Sequence, residues 1–153
     1  MRQRRFARTT EKECDELDAP TKPMQELGSD IIVIAKSHDD TTRTSASGHT
    51  GIHTIRDTYS GMALSRPLKH GNADECYDGF KFFGGPRSIG SQVLVKSDAA
   101  RQLTNAIDNL GWHKEPSLEN RWPHNTRQER YHATYKNALR APMAQSGFPA
   151  DKW

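Results

Sequence analysis

SQVLVKSDAARQLTNAIDNLGWHKEPSLENRWPHNTRQERYHATYKNALRA, residues 91–141, decides how the rest of the chain is read. A short apolar strand pattern at 93–95 gives way to a helix pattern in which Ala99, Leu103, Ala106, Ile107 and Leu110 share one face, and Gly111 closes that helix. Residues 112–116 read as a last short strand, 117–125 as a polar loop, and 126–141 as a helix that Pro142 ends or kinks. An acid, Asp98, falls at the strand-to-helix junction, and a second, Glu129, falls near the start of the last helix. Carboxylates delivered from separate elements suit a site that holds hard divalent cations for phosphoryl transfer, because each orients or bridges an ion that clamps attacking and leaving oxygens. Both acids also have an ordinary explanation. Asp98 can cap the helix that follows it, and Glu129 can be a solvated side chain beside Arg130 or Lys136.

Working back from this stretch, residues 1–22 mix charged and polar side chains without apolar periodicity and read as a solvated basic tail that ends at Pro20 and Pro23. Its arginines, Arg2, Arg4, Arg5 and Arg8, together with Arg43, are candidate phosphate contacts. Residues 30–36, DIIVIAK, form a β-branched run suited to a strand buried on both faces. A Ser, Thr, Asp and Gly-rich loop follows at 37–51, and two short strands at 53–56 and 62–67 flank a turn at Ser60 and Gly61. Asn72 is placed to cap a helix in which Ala73, Cys76, Tyr77, Phe80 and Phe83 recur at helical spacing, and Gly84, Gly85 and Pro86 stop it. The order is therefore three strands, helix, strand, helix, strand, helix. Three adjacent strands with short links imply an antiparallel meander, and a strand reached through a crossover helix implies parallel pairing with an earlier one. That is a mixed-sheet α/β domain over 23–153.

Composition sets the outer bounds. A chain of 153 residues has room for one domain, and with 33% hydrophobic and 27% charged residues its core must be small. The net charge of +3 permits a polyanionic partner without requiring one. Cys14 and Cys76 lack metal-ligand spacing and point to a reducing, intracellular setting rather than a disulfide framework. Cys76 sits on an apolar helix face, and no strained serine elbow occurs, so nucleophilic catalysis has no candidate. FFGGPRSIG lacks the Lys-Ser/Thr ending of a phosphate-binding loop. No apolar run approaches a membrane span, and Trp112 and Trp122 read as packing or lid residues rather than stacking platforms.

Against this frame the motifs resemble those of the catalytic core of retrotransposon integrases, in particular the Copia-like group, over residues 23–153. IHTIRDTYSGMALSRPL is similar to the family's second and third strands, VLVKSDAARQL to the strand carrying its second catalytic Asp, PHNTRQER to the motif ending in its catalytic Glu and an Arg, and SGFPADKW to the segment beyond that helix. The resemblance implies a ribonuclease H-like fold and a metal-dependent polynucleotidyl transferase that cleaves and joins DNA. It implies Asp98 and Glu129 as metal-binding catalytic acids with Mg²⁺ or Mn²⁺ as cofactor. For the first acid, PMQELGSDI is similar to the family's approach and gives Asp30, whereas spacing back from Asp57 gives Ile34, about 13 Å further along one strand face at ~3.3 Å per residue. Where the family has Asn-Gly after its second Asp, this chain has Ala99-Ala100, and Thr126 stands where the family has Gly. The implied partner is DNA, with nuclear location and homo-oligomer formation open to it. With a zinc-binding module lacking on one side and a DNA-binding module on the other, the chain reads as a fragment of a larger polyprotein. The alternatives are an inactive, element-derived nucleic-acid-binding domain and a protein-interaction domain.

Overall fold

The computed structural model describes residues 19–34, 44–116, 130–138 and 145. Among these, five strands form one mixed sheet: β1 (Glu26–Val33), β2 (Gly51–Asp57), β3 (Ala63–Leu68), β4 (Leu94–Ser97) and β5 (His113–Pro116), in the order β3-β2-β1-β4-β5. The first three make the expected antiparallel meander, with Leu27 opposite Asp57 and Ile55 opposite Leu64. Strand β4 joins parallel to β1, with Glu26, Leu27 and Gly28 opposite Leu94, Val95 and Lys96, and β5 continues parallel to β4. Helices α1 (Ala73–Gly84) and α2 (Arg101–Leu110) supply the crossovers, a short 3-10 helix spans Pro86–Ser88, and residues 130–138 are helical and form α3.

Several boundaries differ from the sequence-based expectation, each for a local reason. Strand β1 starts at Glu26 rather than at Asp30, because parallel pairing with β4 draws in Glu26, Leu27 and Gly28 despite their weak strand preference. It ends at Val33, where its partner β2 begins at Gly51, a residue the sequence assigns to the preceding loop. Strand β4 runs to Ser97 instead of Val95, and α2 starts at Arg101 instead of Ala99, so residues 98–100 bridge the two in non-helical conformation. Trp112 lies outside β5. Its ring is buried edge-on to Phe80, centroids 5.6 Å apart, and its Nε1 donates to the Ser88 carbonyl, which makes it a packing residue. The expected helix at 126–141 is described at 130–138. Glu129, Trp122, the tail at 1–18 and Arg43 lie outside the described residues.

Helix α1 forms where Asn72 Oδ1 accepts the Glu75 N–H, and Glu75 in turn reaches back to accept the N–H groups of Lys69, His70 and Gly71. This reciprocal arrangement fixes both the helix start and the turn before it. Burial works against ionisation of Glu75, but the three N–H donors and neighbouring His70 outweigh it and hold its carboxyl below the usual range. Gly111, left-handed at φ 68°, closes α2 as expected.

One face of the sheet carries the apolar core. Leu27, Ile55, Val93 and Val95 meet Cys76 and Phe80 of α1 and Leu103, Ala106, Ile107 and Leu110 of α2. Full burial of each large side chain contributes roughly 1.5–3 kcal/mol. Burial, with Glu75 adding to it, pushes the Cys76 thiol up to about 12, so this residue packs and does not react.

His53 is the largest polar side chain buried in this layer. Its Nε2 lies 2.9 Å from Ser29 Oγ, the ring sits edge-on to Phe80, and Nδ1 is buried with no hydrogen-bond partner among the described residues. A Cβ at position 79 would come within 2.6 Å of that nitrogen, so the glycine in α1 is what lets the helix close over the ring. Burial, and secondarily the positive charge of Arg66, lower the imidazole from its usual 6.5 to about 3. Between those values the unfolded chain binds a proton that the fold excludes, so stability is complete above pH 6.5 and lost as pH falls toward 3. The slope from this one group is ~1.4 kcal/mol per pH unit. Chemical denaturation from pH 7 to pH 4.5 should show the parent losing stability faster than His53→Gln, and parallel pH profiles would contradict the burial of a neutral imidazole.

Candidate functional site

The opposite face of the sheet is polar along one transverse row. Asp30 on β1 is paired with Thr54 on β2, and Thr54 with Ser65 on β3. Alternation along each strand turns these side chains away from the core-facing residues Ile31, Ile55 and Leu64. Helix α3 rests on this row. Tyr131 places its hydroxyl 3.1 Å from Ser65 Oγ, and the Arg56 guanidinium lies 5.9 Å from the Tyr131 ring centroid. His132 sets Nε2 2.7 Å from Thr54 Oγ1 and Nδ1 3.4 Å from Asp30 Oδ2.

Asp98 lies on the β4 side. The β1–β4 ladder ends with Gly28 opposite Lys96, two residues before Asp30 on one strand and two before Asp98 on the other, and Asp98 follows the last residue of β4. Lys96 reaches across to Glu26 at 3.0 Å, on the face of β1 that also carries Asp30. Asp98 is exposed, whereas Asp30 is half-buried, with Oδ1 accepting the Ile31 N–H at 2.7 Å.

The capping explanation for Asp98 does not hold. Ala100 occupies the N-cap position of α2 without any side-chain cap hydrogen bond, and Asp98 reaches only the Ala100 N–H at 3.3 Å. Ile34, the alternative first-acid position, follows the last residue of β1, four residues beyond Asp30 and six beyond the end of the ladder with β4 at Gly28. Asp57 is on the core side, buried, and spends its carboxylate on the Met24 and Ser60 N–H groups and the Ser60 hydroxyl, so it builds the β2–β3 turn.

Among the described residues no group of three or more His, Cys, Asp or Glu side chains is placed to hold a metal ion. Asp30 and Asp98 supply two of the hard oxygen donors that Mg²⁺ or Mn²⁺ prefers, and the third acid of the expected set, Glu129, lies outside the described residues. Sequence reasoning did not single out Thr54, Ser65, Tyr131 or His132. The signal available was period: Thr54 alternates with the buried His53 and Ile55, and His132 follows Glu129 by three residues, one helical turn.

By sequence, the chain matches no protein-family profile and no curated protein. By structure it matches a chain of the simian T-cell lymphotropic virus intasome with a TM-score of 0.57 at 15% identity, covering 80% of this chain and 42% of that one. It also matches the HTLV-2 integrase catalytic core domain in complex with magnesium, TM-score 0.51 at 14% identity, over 86% of this chain and 80% of that one. The catalytic core domain of BIV integrase gives 0.50 at 16% identity, over 80% and 73%. The architecture is thus a ribonuclease H-like mixed sheet with its helices, and within that class it has the fold of a retroviral integrase catalytic core. The chain spans less than half of the intasome chain it matches. No helix among the described residues is long and apolar enough to cross a membrane.

If Asp98 serves the polar row and not the helix, its removal should be mild. Asp98→Ala is expected to change unfolding free energy by less than about 0.5 kcal/mol in denaturant titration, as for a surface position without special partners. A loss of about 1–2 kcal/mol would mark it as a cap after all.

Proposed function

We propose that this domain is an integrase-type polynucleotidyl transferase core, of the kind carried by Copia-like retrotransposons, in which Asp30, Asp98 and Glu129 hold Mg²⁺ or Mn²⁺ for phosphodiester cleavage and strand transfer on DNA. The observation that supports this reading is the parallel β1–β4 pairing in an integrase-core fold, whose ladder ends two residues before Asp30 on one strand and two before Asp98 on the other. Glu129 is assigned as the third acid from its resemblance to the family motif, and it precedes by three residues in sequence the His132 that reaches Asp30.

The chemistry assigned to this chain's own residues is positional and electrostatic. Asp98, exposed past the end of β4, is open to a phosphate from solvent, while Asp30 is held from both sides by the Ile31 N–H and His132. Two carboxylates on adjacent strands concentrate negative charge that a divalent cation balances. Bound cations would polarise the scissile phosphate and lower the pKa of an attacking water or DNA 3′-hydroxyl. Nonspecific DNA affinity comes from the arginines of the basic segments, such as Arg2, Arg4, Arg5 and Arg43. The HTLV-2 core is known with magnesium and in trimeric and dimeric forms, and in this reading self-association and a nuclear site of action are expected here too.

A second reading has one specific observation in its favour. Ala99-Ala100 replaces the family's Asn-Gly beside Asp98 and leaves less backbone freedom there. In that reading the domain binds DNA without cutting it.

Incubating the 153-residue chain with double-stranded DNA and Mn²⁺, and following nicking and strand transfer at several salt concentrations, separates these cases. The proposal predicts product with the parent and none with Asp98→Asn, with binding that falls linearly in log–log salt plots. Salt-dependent binding without product selects the second reading. Binding that is absent or insensitive to salt contradicts both.

A further inference from the structure

His132 touches two strands at once, and its two ring nitrogens have different partners. Thr54 Oγ1 donates to the Asp30 carbonyl oxygen at 3.0 Å. A hydroxyl has a single proton, so toward His132 the same oxygen acts as acceptor, and Nε2 is the donor at 2.7 Å. The other nitrogen, Nδ1, faces the Asp30 carboxylate, 3.4 Å from Oδ2, and it donates there only in the doubly protonated ring. The ring is mostly buried, its side chain 12% exposed, so this orientation is enforced by packing under α3 as well as by its partners.

The consequence concerns Asp30. Its Oδ1 is taken up by the next backbone N–H and its Oδ2 by His132, which together fix the plane of the carboxylate relative to the row of Thr54 and Ser65. The same ring ties α3 to β1 and β2, so Asp30 on the central strand and α3 are held together through one side chain.

We infer that His132 is a positioning residue of the metal site: it orients the Asp30 carboxylate through Nδ1 and anchors α3 through Nε2 to Thr54. The inference rests on the reading of Asp30 as a metal-binding acid. Residues that hold a ligating carboxylate in place contribute to metal affinity without touching the ion, and their loss costs about 10–100-fold in binding.

Two substitutions divide the ring's functions. The amide nitrogen of Asn stands close to where Nδ1 does, and that of Gln close to where Nε2 does. His132→Asn thus retains the donor to Asp30 and gives up Thr54, whereas His132→Gln retains Thr54 and gives up Asp30. Mn²⁺ affinity would be measured by titration calorimetry on the full chain for the parent, both variants and Asp98→Asn, with thermal melts to verify that each is folded. The expected pattern is binding by the parent, a loss of about 10–100-fold in His132→Gln and near-parental affinity in His132→Asn. Equal affinities in the two variants, or a greater loss in Asn than in Gln, would overturn the positioning role while leaving the metal reading intact, provided Asp98→Asn still weakens binding. A parent that binds no Mn²⁺ overturns the metal reading itself, and the positioning role with it.

Discussion

Parallel pairing of β1 with β4 is the constraint on which the rest depends. Antiparallel hairpins form locally, but Glu26, Leu27 and Gly28 meet Leu94, Val95 and Lys96 only after the chain has run through β2, β3 and α1. That long closure is stabilised on one side by the core that α1 and α2 build over Leu27 and Val95. On the other side it has little apolar support; Lys96 bridges to Glu26, and the polar row begins directly beyond. The same register buries Leu27 against Val95 and ends two residues before Asp30 on β1 and two before Asp98 beyond β4. Core packing therefore sets the direction in which both segments leave the ladder, and a slip of one residue would turn β4 to the wrong face.

The two faces divide the labour. Around His53 the core face accepts one unpartnered polar nitrogen and covers it with a glycine of α1 and the edge of Phe80. An unpaired polar atom in such a place is a local cost to stability. On the polar face the hydroxyls of Thr54, Ser65 and Tyr131 and the ring of His132 bond to one another and to Asp30, which lets a mostly hydrophilic helix settle on the sheet. A helix docked by polar contacts is less firmly held than one docked by apolar area, and such elements open at lower free energy than the core.

Much of this was legible in the residues. Periodicity placed Leu103, Ala106, Ile107 and Leu110 in the core, where they are, and strand alternation with a crossover implied the mixed sheet. Boundaries were less legible, since Glu26 to Gly28 become strand through pairing with β4, joined at Leu27 and Gly28 by pairing with β2, a tertiary effect that local preference does not carry. The choice between Asp30 and Ile34 was open for the same reason: both lie on one strand face, and only pairing between distant segments ends the β1–β4 ladder two residues before Asp30 and six before Ile34. Asp98 also reads as a cap, and it took the backbone at Ala100 to set that reading aside. His132 was invisible because a histidine on a polar helix has no pattern of its own; its meaning comes from β1 and β2 beneath it.

The central claim is that the β1–β4 register makes Asp30 and Asp98 one cation site. Crystals of the chain soaked in Mn²⁺, with data collected to locate the metal by its anomalous scattering, test it directly. The account predicts a peak within coordinating distance, ~2.0–2.3 Å, of carboxylate oxygens from both acids. A peak elsewhere on the surface, or one bound by Asp98 with Asp30 turned away, would contradict it.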